Sequence, residues 1–272
     1  MTASTSVRLC ASLLTALAGA ALSSACDEPA AQPAPKPSAT ASPLAPKVAS
    51  TAPPVQKPAA PKAVGKRPED CPKGPNVLFD NPEFEQAVRF KLQKPTGTIT
   101  KADLGRLRSL NLSQMQVDEL DVCLFPHMKA LRELFLGRGK LDDLSPIADL
   151  VHLESLRASM NHVRDLAPLA KMTKMDRLDL GLTQVADLTP LSGMSALTEL
   201  QLDDTPVEDV KPLAKLTKLE RLSVQRTRIK DFTPLRGLKS LKFLYVSGCP
   251  GEFDAMSQLG ALTQGGLRII LQ

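Results

Sequence analysis

The chain has 272 residues and a formal net charge of +5, from 34 Lys and Arg against 29 Asp and Glu. Seven of those cations and four of those acids precede residue 71, so residues 71–272 carry 27 against 25. A nearly balanced main body lacks the basic footprint of a DNA or RNA binder, and one Tyr, eight Phe and no Trp leave few aromatic side chains for any surface.

Residues 1–25 read as a signal peptide. Arg8 precedes a fourteen-residue apolar run, Leu9 to Leu22, too short to cross a bilayer and of the length of a signal-peptide core. The run ends in Leu22-Ser23-Ser24-Ala25-Cys26, and two readings stand. Small residues ahead of a cysteine resemble a bacterial lipobox, in which cleavage before Cys26 lets its thiol carry diacylglycerol. Ser23 departs from that pattern, where leucine is preferred. The alternative is ordinary secretory cleavage near Ala25 and a secreted protein. A buried N-terminal helix fits less well, because residues 26–70 are dominated by Pro, Ala, Lys, Ser and Thr. Such a tract has almost nothing large and apolar to bury and reads as a disordered linker behind the anchor Cys26.

Residues 71–106 read as an N-terminal helical cap. Asn81-Pro82-Glu83 opens a helical run in which Phe84, Ala87, Val88 and Leu92 share one face. Thr100-Lys101-Ala102-Asp103 has the form of a capping box, with Asp in place of the usual Glu, and starts a second short helix.

From Leu107 to residue 250 the chain repeats itself. Leu131, Leu153, Met175, Leu197, Leu219 and Leu241 stand 22 residues apart, and the first unit, from Leu107, takes 24. The unit from 197 reads LTELQLDDTPVEDVKPLAKLTK. It matches the signature L-x-x-L-x-L-x-x-N/C-x-L, with Thr205 at the Asn/Cys position, and a fixed period of this size means a solenoid of six to seven leucine-rich repeats. Leu197, Leu200, Leu202 and Val207 face the core, and a strand is expected from Glu199 to Asp203. Five successive units then carry Asp-apolar-x-Pro-apolar, at Asp143–Ile147, Asp165–Leu169, Asp187–Leu191, Asp209–Leu213 and Asp231–Leu235. Pro146, Pro168, Pro190, Pro212 and Pro234 suit the first position of a short 3₁₀ or α turn on the convex side. Ser145, Thr189 and Thr233 are expected to cap those turns, while the recurrent aspartates bond nearby backbone N–H groups rather than a metal. Residues 251–272 break the period and end in an edge strand around Leu267–Leu271.

Of five cysteines, Cys10 lies in the leader and Cys26 at the lipid position. Cys71 and Cys123 are the natural disulfide pair in an exported protein, joining the cap to the first repeat. Closing that loop is worth up to about 4 kcal/mol. Cys249 occupies the Asn/Cys position of its repeat and reads as a buried structural thiol.

The unit LTELQLDDTPVEDVKPLAKLTK and the cap stretch DNPEFEQAVRFKLQKPTGTITKADLGRLRSL resemble the internalin-type class of bacterial leucine-rich repeats, over roughly residues 76–250. The resemblance implies a right-handed α/β solenoid: a parallel sheet on the concave face, short turns on the convex face and a helical cap. It also implies use in protein recognition. Two departures limit what carries over. The asparagine ladder keeps only Asn161, with Gly139, Thr183, Thr205, Thr227 and Cys249 in its other places, and no immunoglobulin-like domain or cell-wall sorting motif follows. Host-cell invasion is therefore not inherited.

No catalytic chemistry is legible. His127, His152 and His162 have no metal-ligand spacing with cysteines or carboxylates, and there is no phosphate loop or nucleophile motif. No cofactor or metal is expected. The binding surface is read from the repeat register. Ser109, Glu133, Ser155, Arg177, Glu199, Arg221 and Phe243 form one outward column, and Asn111, Phe135, Arg157, Asp179, Gln201, Ser223 and Tyr245 a second. Ser113, Gly137, Ser159, Gly181, Asp203, Gln225 and Ser247 form a third, and Arg138, Met160, Leu182, Asp204 and Arg226 lie just past the strands. Phe135, Phe243 and Tyr245 with the arginines have the make-up of an interface; the alternative is scattered surface residues with charge pairs such as Arg157–Asp179 keeping the sheet soluble. The expectation is a non-enzymatic, monomeric protein of the bacterial cell envelope, periplasmic or outer-membrane facing. Its membrane contact is through lipid and its concave face binds an unidentified protein partner. The alternative is a scaffolding component that binds cell-wall polymer or itself.

Overall fold

The computed structural model describes residues 66–271; the expected signal peptide, Cys26 and the part of the expected linker (26–70) before residue 66 lie outside the described residues. The described chain forms one sheet of eight parallel strands in sequence order. They are β1 (Ser109–Asn111), β2 (Glu133–Phe135), β3 (Ser155–Arg157), β4 (Arg177–Asp179), β5 (Glu199–Gln201), β6 (Arg221–Ser223), β7 (Phe243–Tyr245) and β8 (Arg268–Ile270). Register follows the period: Leu110, Leu134, Leu156, Leu178, Leu200, Leu222 and Leu244 stand side by side, each buried. The strand expected over Glu199–Asp203 is shorter, because Asp204 turns into the left-handed region and ends the extended stretch.

On the other side of the core each unit returns through a 3₁₀ turn, such as Lys211–Lys215 or Thr233–Gly237. Strands stack about 4.8 Å apart, and a helical turn with its side chains needs more room than that, so the turn side is the longer and the sheet curves inward. Leu213, Leu216, Leu219 and their equivalents fill the space between with almost no exposure.

The expected caps of these turns are corrected by the structure. Ser145, Thr189 and Thr233 sit inside the turns and provide no side-chain cap. The aspartate two residues earlier does so instead: Asp143, Asp165, Asp187, Asp209 and Asp231 each accept the backbone N–H at i+2, at 2.8–2.9 Å. An Asx turn of this kind places the carboxylate over the start of the proline turn. The threonine hydroxyls bond back to the carboxylates of Asp187 and Asp231, which with those backbone N–H bonds lowers both pKa values.

The Asn/Cys position has two modes. Asn161 is buried; its amide donates to Gly137 and Ser159 at 3.0 Å and to Ala158, and its oxygen receives Leu141 N–H. It thereby staples two repeats. Thr183, Thr205 and Thr227 instead bond the carbonyl three residues back, at 2.6–2.8 Å, and close their own turn. Cys249 is buried and unpaired, between Val224 O at 2.9 Å and the Thr227 hydroxyl at 3.1 Å.

The N-terminal end is sealed by α1 (Pro82–Leu92) and α2 (Lys101–Leu104). Asn81 caps α1 through Glu83 and Phe84 N–H, and Thr100 with Asp103 forms a complete capping box on α2. Phe84 stacks on Phe125 of the long first repeat, 5.5 Å between ring centres, and a disulfide joins Cys71 to Cys123. At the other end, α3 (Ala255–Gln258) and α4 (Gly260–Gln264) cover the last core layer with Ala255 and Leu259 before β8 pairs with β7.

The capping box makes the cap sensitive to acid. The Asp103 carboxyl is held down to about 2, first by the Thr100 backbone N–H, then by Lys94 and the Thr100 hydroxyl. Its unfolded counterpart titrates near 3.8, so this stabilisation is complete above about pH 4 and is lost as pH falls through about 2. Urea unfolding of wild type and Asp103→Asn is expected to differ at pH 6 and to converge toward pH 2.

Candidate protein-binding surface

Because strand side chains alternate, burying the central leucine of each strand turns its two neighbours outward. Adjacent strands in register place residues 22 apart next to each other, and many of these neighbours are charge partners. Arg157 Nε meets Asp179 Oδ2 at 3.0 Å, Arg177 reaches Glu199 at 4.0 Å, and Arg226 grips Asp204 with two bonds. The Arg221 guanidinium lies 5.3 Å from the centre of the Phe243 ring. Pairs this exposed contribute only about 0–1 kcal/mol each. Their larger effect is to neutralise the face along its own columns.

The residues singled out from sequence divide by what they touch. Asp179 also accepts from Ser159 Oγ and Gly181 N–H, and Asp203 accepts from Ser223 Oγ at 2.6 Å and Gln225 N–H at 2.7 Å. These carboxylates fasten one repeat to the next. Ser223, expected to face outward, is buried beneath Asp203 through that bond. Gly137 has no side chain for a good reason: a Cβ there would overlap the carbonyls of Met115 and Leu112. Phe135 and Tyr245 are half-buried, near opposite ends of the sheet, and Gln201 is half-buried near its middle. Arg138 is exposed and makes no side-chain hydrogen bond or ion pair among the described residues.

Two features were not read from the sequence. The first is backbone conformation just past the strands: Met160, Leu182, Asp204 and Arg226 have φ of 60°, 56°, 56° and 52°, and Gly248 has 75°. The N–H of each of the first four donates to the next repeat, to Gly181, Asp203, Gln225 and Ser247 at 2.7–2.9 Å. From Met160 onward the stack imposes this left-handed turn whatever the side chain, at about 1–2 kcal/mol for a residue with a Cβ, whereas Arg138 one repeat earlier does not adopt it. The 22-residue spacing was visible, but Met and Leu do not announce a left-handed position as Gly or Asn would.

The second is a cleft of about 800 Å³ between the cap and the first two repeats, with Phe84, Met115 and Phe125 among its apolar lining. Asp80, Asp118 and Asp121 in its lining are engaged. Lys66 Nζ bonds Asp80 at 2.7 Å and Asp121 at 3.4 Å, Asp118 accepts Lys140 N–H, and Asp121 also accepts Cys123 N–H. The bond to Asp80 is the main reason the Lys66 pKa is raised. His152 and His162 are exposed, and His152 lies 3.0 Å from Lys174 Nζ. Among the described residues, no group of three His, Cys, Asp or Glu could hold a metal ion, and no helix is long and apolar enough to cross a membrane.

The parallel ladder, the 3₁₀ returns and the buried Asn/Thr/Cys position define a leucine-rich repeat protein. Its repeats are of the internalin type. The chain is similar to internalin C2 of Listeria monocytogenes, with 28% identity, a TM-score of 0.61, and 71% of this chain matched to 83% of that one. Internalin F of the same organism gives 27% identity and 0.54, over 63% of this chain and 57% of that one. A leucine-rich repeat protein of Leptospira interrogans, at 21% identity and 0.57, shares the fold over 62% of this chain and 44% of its own length. No family model and no curated protein matches the sequence.

The division between fastening and free residues is testable. Asp203→Ala removes two charge-assisted bonds between repeats and is expected to cost about 1–3 kcal/mol. Gln201→Ala, two residues away on the same face, is expected to stay within about 0.5 kcal/mol. Chemical denaturation of the two variants beside wild type measures both.

Proposed function

We propose that this protein is a non-enzymatic binding module of the bacterial cell envelope, lipid-anchored through Cys26, that holds a protein partner on its concave face. The observation that carries the reading is the placement of aromatic side chains. Of eight Phe and one Tyr, Phe135, Phe243 and Tyr245 stand on the outward side of the sheet, among ion pairs that cancel one another. An interface that is neutral, aromatic and Arg-bearing fits a folded protein better than nucleic acid or a polyanion. The leader sequence and the Cys71–Cys123 disulfide favour export to an oxidising compartment.

A photo-crosslinking residue at 135, 157 or 245 is expected to capture a discrete protein in the source cells, and one at Lys171 or Lys215 is not. Replacing Phe135, Arg157 and Tyr245 together by Ala should weaken the captured partner's affinity without unfolding the repeats. Capture from the convex positions alone overturns the reading, and co-sedimentation with purified cell wall in place of capture would favour the scaffold role. For the anchor, Cys26→Ser should release the protein from membranes, because each buried acyl CH₂ contributes about 0.8 kcal/mol. A variant that still requires detergent for extraction removes the lipid from the proposal.

A further inference from the structure

The column of left-handed residues separates into two halves. Gly248 adopts its φ of 75° without a Cβ. Asp204 is a residue type that tolerates this region, and Arg226 next to it is held by two bonds to the Asp204 carboxylate. Those three positions make sense within the fold. Met160 and Leu182 do not. Both are bulky and left-handed, and both point into solvent, 55% and 49% exposed. Neither belongs to the hydrophobic core, so the fold gains little from the side chain that bears the strain. Asparagine or glycine would make the same inter-repeat backbone bond with less strain.

Successive strands place the two side chains about 4.8 Å apart along the stack, so together they form one apolar step on the rim of the concave face. Its flanks differ in charge. On the far side Arg226 is neutralised by Asp204. On the near side Arg138, which stands 22 residues before Met160 but is not itself left-handed, is exposed and without a side-chain partner among the described residues.

From this we infer that Met160 and Leu182 are the apolar contact point for a protein partner that lays an aliphatic or aromatic side chain against them and sets a neighbouring carboxylate against Arg138. The inference rests on the concave-face reading and narrows it to one part of that face. Strain retained at exposed positions is stability given up for binding, so relieving it should raise stability and lower affinity together. A merely structural role for the pair moves stability the other way.

The test pans a random peptide display library against the folded chain, with Met160→Asn/Leu182→Asn, Arg138→Glu, Phe135→Ala/Tyr245→Ala and Val151→Asn as variants. Val151 is an exposed apolar residue outside the column. The expected result is enrichment of peptides carrying an apolar residue beside Asp or Glu. Their affinity should fall at least about tenfold in the Asn pair and hold in Val151→Asn, while the Asn pair melts at a higher temperature than wild type. Arg138→Glu should turn the selection toward Lys or Arg beside the apolar residue. Peptides that bind the Asn pair as well as wild type, or an Asn pair that melts lower, overturn the inference. If those peptides are lost in Phe135→Ala/Tyr245→Ala, the concave-face reading survives without it. Peptides indifferent to every concave variant, or a library that yields no binder, count against both.

Discussion

The N–H of Leu180 reaches the carbonyl of Gln201, that of Leu202 reaches Ser223, and that of Val224 reaches Tyr245. Every repeat makes these bonds only with its successor, and it buries its leucines only between two neighbours. A single unit of 22 residues cannot close a core, so the stack is stable as a stack and its ends must be sealed. The rest of the molecule follows from that requirement. The helices α1 and α2 and the stacked pair Phe84 and Phe125 seal one end, and α3, α4 and β8 cover the other. The outward side of the sheet is left to carry side chains the core does not need.

The same ladder sets the electrostatics of the face. Since residues 22 apart become neighbours, a cation in one repeat meets an anion in the next, as Arg157 meets Asp179 and Arg226 meets Asp204. A column with one sign throughout would repel itself along the whole sheet. Alternation leaves a surface with little net field, on which shape and apolar contact discriminate between partners more than long-range steering does.

Much of this was legible from periodicity. Leucine spacing places Leu110 to Leu244 in one buried row, and the Pro returns mark the 3₁₀ turns, because both depend on residue type at fixed intervals. The capping box at Thr100 and Asp103 was legible for the same reason. What stayed hidden depends on atoms brought together only in the stack. The aspartates were expected to bond nearby backbone N–H groups and do, but that Asp143, Asp187 and Asp231 thereby cap the turns in place of the Ser or Thr beside the proline was not read. Ser223 is buried because Asp203, twenty residues earlier, folds over it. The left-handed conformation at Met160 and Leu182 is set by bonds to the following repeat, and nothing in either side chain signals it.

The disulfide between Cys71 and Cys123 bears on how the molecule would meet mechanical load. A pull on the chain ahead of Cys71 enters the folded part at that residue and crosses the sulfur bridge directly to Cys123. The residues between the two cysteines, with α1, α2 and β1 among them, form a side loop that carries no tension. Force is delivered instead to the long first repeat, beside the buried Leu124 and Phe125. With the bridge reduced, the same pull would peel the cap helices first. The covalent shortcut thus makes the cap a bystander to tension and the repeat stack its bearer.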